Sequence, residues 1–356
     1  MTYSDKDFAR YTRSYWNKHQ EEHTSIVQEH IERIEQGVDA WNAFDKAFAE
    51  YLKNNKIDDG LYCFSEAQFS SHANFGKAQF SGDADFSEAQ FSGDADFIEA
   101  QFSGDAYFVE AKFSSPANFS EAQFSNEAVF YSTIFESLFD FTNIKAKTAV
   151  PDFLGVQYKI APMIEGFSVP FNKGQDFERN IELYRQLKKM AIDGANHEQE
   201  VRFFGFETRC KIYLKNTPKP TKVLIWLYYS LSDFGQSIMR PLLGILLCWV
   251  MATAATIPTV MPSPLVVSVY NDYCETPKAN QTIHLKFEAA IRQSSHFILP
   301  FLPTDRETKR EINRCLYGGN GTIPWVNGII NSFQQLLMLV FLFLLGLAIR
   351  NRFKIK

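Results

Sequence analysis

The sequence predicts a mixed fold: N-terminal helices, a central short-stranded β-solenoid, then an α-helical region that ends in two membrane-spanning helices. Three observations predict it. Phenylalanine recurs in alternating steps of five and six residues from Phe64 to Phe141. Residues 1–60 lack that repeat and space their apolar side chains like helices. Two 21-residue stretches, Pro241–Met261 and Ile329–Ile349, contain no charged residue.

The repeat comes first. "AQFSGDADFSEAQFSGDADF" (Ala78–Phe97) states one eleven-residue unit almost twice. A short fixed period means that a unit cannot bury its apolar face alone and must stack on copies of itself. The A-x-F pattern suits a two- or three-residue strand with Ala and Phe on one side. Phe64, Phe75, Phe86, Phe97, Phe108, Phe119 and Phe130 are the expected core stack. Corners follow each strand. Ser81-Gly82-Asp83, Ser92-Gly93-Asp94 and Ser103-Gly104-Asp105 supply turn chemistry, with glycine expected at positive φ.

A-x-F-x-x repeated head to tail resembles the pentapeptide-repeat family. The resemblance implies a right-handed, four-sided β-helix with one repeat per face and inward pairs such as Phe86 with Ala84 and Phe91 with Ala89. The family usually places Leu at the centre and keeps a strict period of five, whereas this chain uses Phe and alternates five with six. Four faces then take 22 residues, which stacks Phe64 under Phe86, Phe108 and Phe130 over a little under four coils. The solenoid is assigned to 61–143.

Solenoid ends expose unpaired backbone and need caps. Residues 1–60 are assigned as an N-terminal helical cap: Ile26, Ile31, Ile34, Val38, Trp41, Phe44 and Phe48 recur every three or four residues, and Gly37 divides two helices. "IEQGVDAWNAF" (Ile34–Phe44) also resembles the helical lead-in of many pentapeptide solenoids. His19, His23 and His30 share a helix face and read as a solvated polar surface with no function. Residues 144–221 read as a closing segment and a helical hairpin broken at Gly194, in which Glu207 and Arg209 could pair. Residues 222–240, with Trp226, Tyr228, Tyr229 and Phe234, read as an interfacial helix.

Residues 241–261 and 325–349 are the expected transmembrane helices; 21 residues span about 32 Å, enough for a hydrocarbon core of about 30 Å. Neither is a signal peptide by position. Lys215, Lys219, Lys222 and Arg240 precede the first span, and the basic tail 350–356 carries Arg350, Arg352, Lys354 and Lys356. Both ends are therefore expected in the cytoplasm and loop 262–324 outside. "YYSLSDFGQSIMRPL" (Tyr228–Leu242) and "LLGLAIRNRFKIK" (Leu344–Lys356) resemble membrane-anchored bacterial members of the family, which implies the inner membrane and a periplasmic loop. In that oxidising place Cys274 and Cys315 can form one disulfide, while Cys63, Cys210 and Cys248 stay reduced. Ser332, Gln334 and Gln335 are polar groups inside a span, able to line a path or pair across a homo-oligomer. Span, apolar dip (Phe287–Pro303) and span also outline a simple channel, although no filter sequence is present.

Charge is the last clue. Phe64–Phe141 holds 13 Asp and Glu against Lys77 and Lys112, whereas the whole chain is only −5. Glu66, Asp83, Glu88, Asp94, Asp105 and Glu110 are the candidate partner-binding acidic columns. Such columns can serve solubility, recognise a basic protein, or mimic DNA as in the family members that protect gyrase. No nucleophile elbow, phosphate loop or metal-spaced Cys/His cluster occurs, so no catalysis, cofactor or metal is expected. The expected function is a membrane-anchored, non-enzymatic scaffold or sensor that contacts the lipid bilayer and an unidentified, basic protein partner. An oligomeric channel or membrane-permeabilising effector is the alternative, and a gyrase-binding DNA mimic the second; a nucleic-acid partner is not expected.

Overall fold

The computed structural model describes residues 5–169, 171, 176–259, 291 and 325–353. The chain divides into two compact units, Met1–Ile225 and Trp226–Lys356.

In the first unit the alternating A-x-F pattern becomes two- and three-residue strands. The first coil is β1 (Leu61–Cys63), β2 (Gln68–Phe69), β3 (Ala73–Asn74) and β4 (Gln79–Phe80). The second is β5 (Asp83–Asp85), β6 (Gln90–Phe91), β7 (Ala95–Asp96) and β8 (Gln101–Phe102). The third is β9 (Ala106–Tyr107), β10 (Lys112–Phe113), β11 (Ala117–Asn118) and β12 (Gln123–Phe124). The fourth is β13 (Ala128–Val129), β14 (Ile134–Phe135), β15 (Phe139–Asp140) and β16 (Lys145–Ala146), and β17 (Gln157–Tyr158) follows. They form four parallel sheets: β1-β5-β9-β13, β2-β6-β10-β14-β17, β3-β7-β11-β15 and β4-β8-β12-β16, here faces one to four. Register advances by 22 residues per coil, as in Ala84↔Ala106 and Phe91↔Phe113.

The expected core stack resolves into two columns. Phe64, Phe86, Phe108 and Phe130 stack face to face at 4.7–4.9 Å. Phe75, Phe97 and Phe119 form a second column at 4.6–4.8 Å. The columns meet edge to face, with Phe86 and Phe97 5.4 Å apart, the geometry that the ring quadrupole favours. Phe69, Phe91 and Phe113 line face two, and Phe80, Phe102 and Phe124 line face four.

The corners differ from the sequence expectation. Gly82, Gly93 and Gly104 are not at positive φ; Glu66, Lys77, Glu88, Glu99, Glu110 and Glu121 are, at 56–64°. The five-residue steps are therefore tight turns closed by bonds such as Ala89 N–H to Phe86 O at 3.2 Å, with a left-handed residue at the third position as in a type II turn. The glycines of the six-residue steps serve close approach. A Cβ on Gly93 would lie 2.4 Å from the Ser71 carbonyl carbon, and one on Gly104 2.5 Å from that of Gly82.

The solenoid also runs past residue 143. Bridges at Asp152, Met163 and Ser168 and strand β17 add a fifth, looser turn that buries Phe153, Ile164 and Phe167.

Helices cap both ends. Before the solenoid lie α1 (Asp5–Ala9), α2 (Arg13–Trp16), α3 (His23–Glu35) and α4 (Val38–Asn55), with Gly37 at φ 108° between the last two. Trp41, Phe44 and Phe48 of α4 are fully buried, and Trp41 meets Phe64 and Phe80. This helix also replaces a missing strand. Asn42 accepts from Gln79 N–H at 2.8 Å and donates to Lys77 O at 3.1 Å, and Trp41 Nε1 donates to Gln79 O at 2.9 Å. Asp45, 2% exposed, accepts from the Ser81 N–H at 2.8 Å, the Ser81 hydroxyl at 2.9 Å and the Tyr62 hydroxyl. Burial pushes its carboxyl above the ordinary range, against the pull of those donors.

His30 corrects the expectation of a solvated histidine face. It is fully buried, with Nδ1 2.9 Å from Ile26 O and its ring 4.9 Å from Tyr11 and 5.5 Å from Phe64. His19 and His23 instead stack on Tyr15 and Trp16.

Beyond the solenoid, α5 (Phe177–Asp193) and α6 (His197–Cys210) pack together, capped by Asp176 and Asn196. Arg202 donates to Phe167 O at 3.0 Å and Arg179 pairs with Asp152 at 3.1 Å, which ties the helices to the last turn. Glu207 does not pair with Arg209: it meets Lys188 at 2.6 Å and Lys211 at 3.3 Å, while Arg209 lies over the Phe171 ring. Then comes α7 (Lys219–Ser232).

The second unit contains α8 (Met239–Thr259) and α9 (Trp325–Phe353), which pack on one another. Gly244 lies against the Phe341 ring, where a Cβ would come within 2.2 Å. Asn327–Phe353 is one helix long and apolar enough to cross a membrane. In α8 the apolar stretch is the shorter Met239–Ala255, and residues 260–261 of the expected first span lie outside the described residues. So do loop 262–324 apart from residue 291, with Cys274 and Cys315, and Lys354 and Lys356 of the basic tail.

Candidate interaction surface

Charge is confined mostly to the corners. The outward positions of faces two and four carry glutamines in register, Gln68 with Gln90 and Gln79 with Gln101 and Gln123, before Lys112 and Lys145 take the next positions. Face three carries Asn74, Asp96, Asn118 and Asp140 in that order along the stack. Each accepts from the N–H two residues on: Gly76, Ile98, Ser120 and Thr142, at 2.7–2.9 Å. That Asx turn explains why Asp or Asn recurs there. Alternation with asparagine also sets the two carboxylates two coils apart, about 10 Å, where screening is strong.

The six candidate acids do not form one surface. Glu66, Glu88 and Glu110 share the corner between faces one and two, one coil apart, all exposed. Asp83 and Asp105 lie at the corner between faces four and one, and Asp94 at the corner diagonally opposite them. Asp83 and Asp105 are half-buried structural groups. Asp83 Oδ1 accepts from Asp105 N–H at 2.9 Å, and Asp105 Oδ1 from Glu127 N–H at 3.1 Å. Arg13 binds Asp83 Oδ2 at 2.7 Å and lies over the Tyr107 ring, whose hydroxyl donates to Asp105 at 3.1 Å. Among the described residues Glu66, Glu88 and Glu110 have no ion pair, whereas Glu99 faces Lys77 at 3.6 Å.

The three glutamates thus form a ridge of uncompensated charge, one carboxylate per coil. Left-handed backbone turns each one outward at the tip of a tight turn. The next coil continues the corner with Tyr131, whose carbonyl accepts from Glu110 N–H at 2.9 Å and whose side chain is 48% exposed. Sequence reasoning missed this residue because it breaks the repeat.

In α9 the three expected polar residues also separate. Ser332 is exposed and bonds Gly328 O of its own helix at 2.8 Å; Gln334 is buried and Gln335 half-buried. Gln334 continues a buried stripe with Asn327 and Asn331. The 4- and 3-residue spacing of that stripe could have revealed it. No group of three or more His, Cys, Asp or Glu among the described residues could hold a metal ion.

A four-sided solenoid of short parallel strands, with most of its charge at the corners, defines the class as a quadrilateral β-helix. Within it, residues 60–101 and 97–145 match the family model for pentapeptide repeats (9 copies). The match covers the regular coils and none of the flanking helices. No curated protein and no solved structure matches the chain.

Proposed function

We propose that the protein is a membrane-anchored, non-enzymatic scaffold whose solenoid offers an acidic ridge to a basic protein partner. The ridge of Glu66, Glu88 and Glu110 carries the reading: carboxylates without ion pairs on a rigid stack favour a row of cations at matching spacing. Tyr131 beside Glu110 adds an aromatic anchor for such a partner.

Anchoring rests on the apolar helix Asn327–Phe353. Exposed Leu243, Leu247 and Val250 on α8, and Leu336 and Phe343 on α9, suit a lipid surround. Arg240 begins α8 and Arg350 and Arg352 end α9; Asn351 donates to Gly235 O at 3.1 Å, which brings these ends together. By the positive-inside rule that end faces the cytoplasm of a bacterial inner membrane, with loop 262–324 outside.

Membrane fractionation tests the anchor. The full chain should remain with the bilayer after alkaline extraction, and a reporter after Lys356 should behave as cytoplasmic. Release into the alkaline supernatant would refute it. A second reading, ion conduction, draws support from the buried amides Asn327, Asn331 and Gln334 in α9; ion flux from loaded liposomes decides it.

A further inference from the structure

The inference rests on the membrane reading and concerns which lipid the anchor meets. Among the described residues of the second unit, Asp233 is the only acid and Arg240, Arg350 and Arg352 the only bases. Asp233 is already engaged. It pairs with Arg240 at 3.3 Å, while Arg240 also donates to Tyr229 O at 2.7 Å and lies over the Tyr229 ring. The turn that holds this group is built closely, with Gly235 at φ 78° and Asn351 donating to its carbonyl.

Asn351 points its side chain at that turn, so Arg350 and Arg352 leave α9 on either side of it, about 200° apart at 100° per residue. Both are exposed, and among the described residues neither has an ion pair. Arg350 donates weakly from Nη2 to Asn351 Oδ1 at 3.4 Å and acts electrostatically on the Tyr228 hydroxyl. Apolar surface lies one to two turns below each: exposed Phe343 seven residues before Arg350, and Ile349 three before Arg352. A guanidinium above bare apolar surface at the end of a span matches a phospholipid, phosphate above acyl chain.

We propose that Arg350 and Arg352 each bind the phosphate of an anionic glycerophospholipid, one lipid on either side of the α9 terminus. Net negative headgroups are selected because, among the described residues of the second unit, Arg350 and Arg352 are positive charges with no acid paired to them. Arg240, neutralised by Asp233, contributes shape and not selectivity.

The full chain, reconstituted in mixed vesicles of phosphatidylcholine and phosphatidylglycerol, tests this with spin-labelled lipids of both kinds. Motion-restricted lipid at the protein surface should favour phosphatidylglycerol about fivefold at low salt, from roughly 1 kcal/mol per basic side chain near an anionic surface. R350Q/R352Q should lower the ratio clearly, with Lys354 and Lys356 sustaining a remainder, R350K/R352K should keep most of it, and R240Q should change it little. Equal association of the two lipids with wild type, or an unchanged ratio in R350Q/R352Q, would overturn the proposal while leaving the anchor intact. Loss of the preference on adding inorganic phosphate at constant ionic strength would also overturn it, in favour of a free-anion site. Absence of any motion-restricted lipid would remove the membrane reading itself.

Discussion

Gly104→Ala should cost far more than its single methyl suggests. The added Cβ would sit 2.5 Å from the carbonyl carbon and oxygen of Gly82 and 2.6 Å from Asp83 N, all backbone atoms that cannot rotate away. Carbon atoms in contact rest about 3.5–4.0 Å apart, so the coils must part by about 1 Å at this corner. Two bonds bridge it: Ser103 N–H to Phe80 O at 2.8 Å and Asp105 N–H to Asp83 Oδ1 at 2.9 Å. Stretched by that amount, both pass the limit of a hydrogen bond. Two lost bonds and some overpacking give about 2–4 kcal/mol. Glu88→Asn is the counterpart. Glu88 holds φ 58°, which asparagine adopts more easily, so the change should stabilise by up to about 1 kcal/mol. Urea unfolding of the detergent-solubilised full chain, followed by circular dichroism, measures both. A neutral Gly104→Ala with a destabilising Glu88→Asn would refute the assignment of close approach to the glycines and left-handed backbone to the glutamates.

Asp45→Ala should leave Ser81 and Tyr62 donors without their acceptor beneath the first coil, costing about 2–4 kcal/mol, with Asp45→Asn milder; hydrogen exchange at the Ser81 amide reports it. Phe97→Asp should unfold the solenoid, since a carboxylate would be buried between Phe75 and Phe119; a native melting temperature would contradict the packing. Burial, with Arg33 and Arg10 nearby, pushes the His30 imidazole down to about 3 from its ordinary 6.5. The unfolded chain therefore takes up the proton first, so stability falls as pH drops below about 6.5, by about 2 kcal/mol at pH 5 from this group alone. His30→Leu should remove that share of the acid sensitivity; an unchanged pH profile would show that His30 is not the cause.

The coil length and the inward phenylalanines were legible because a strict repeat writes its register into every unit. The corners were only half legible: composition marks Gly-Asp as a turn, but inter-coil distance, which decides what glycine is for, has no local signal. Asp83 and Asp105 looked like recognition acids by charge alone, yet their Oδ1 atoms accept from the Asp105 and Glu127 amides. His30 carried a usable sign, since Ile26, His30 and Ile34 follow four-residue steps along one buried face. Asn42 and Asp45 carried none, because their partners lie 17 to 37 residues away in the sequence. In α9, attention to the adjacent Gln334 and Gln335 hid the wider stripe with Asn327 and Asn331.

The central claim is that the glutamate ridge recognises a protein. Neutralising Glu66, Glu88 and Glu110 to Gln removes three charges without ion pairs, so the fold should keep its stability. Proteins crosslinked to the full chain in native membranes can then be compared between wild type and E66Q/E88Q/E110Q by quantitative mass spectrometry. The account predicts that at least one basic protein is lost from the triple variant, and from wild type at high salt, while anchoring persists. An identical set of crosslinked proteins from both chains would contradict it.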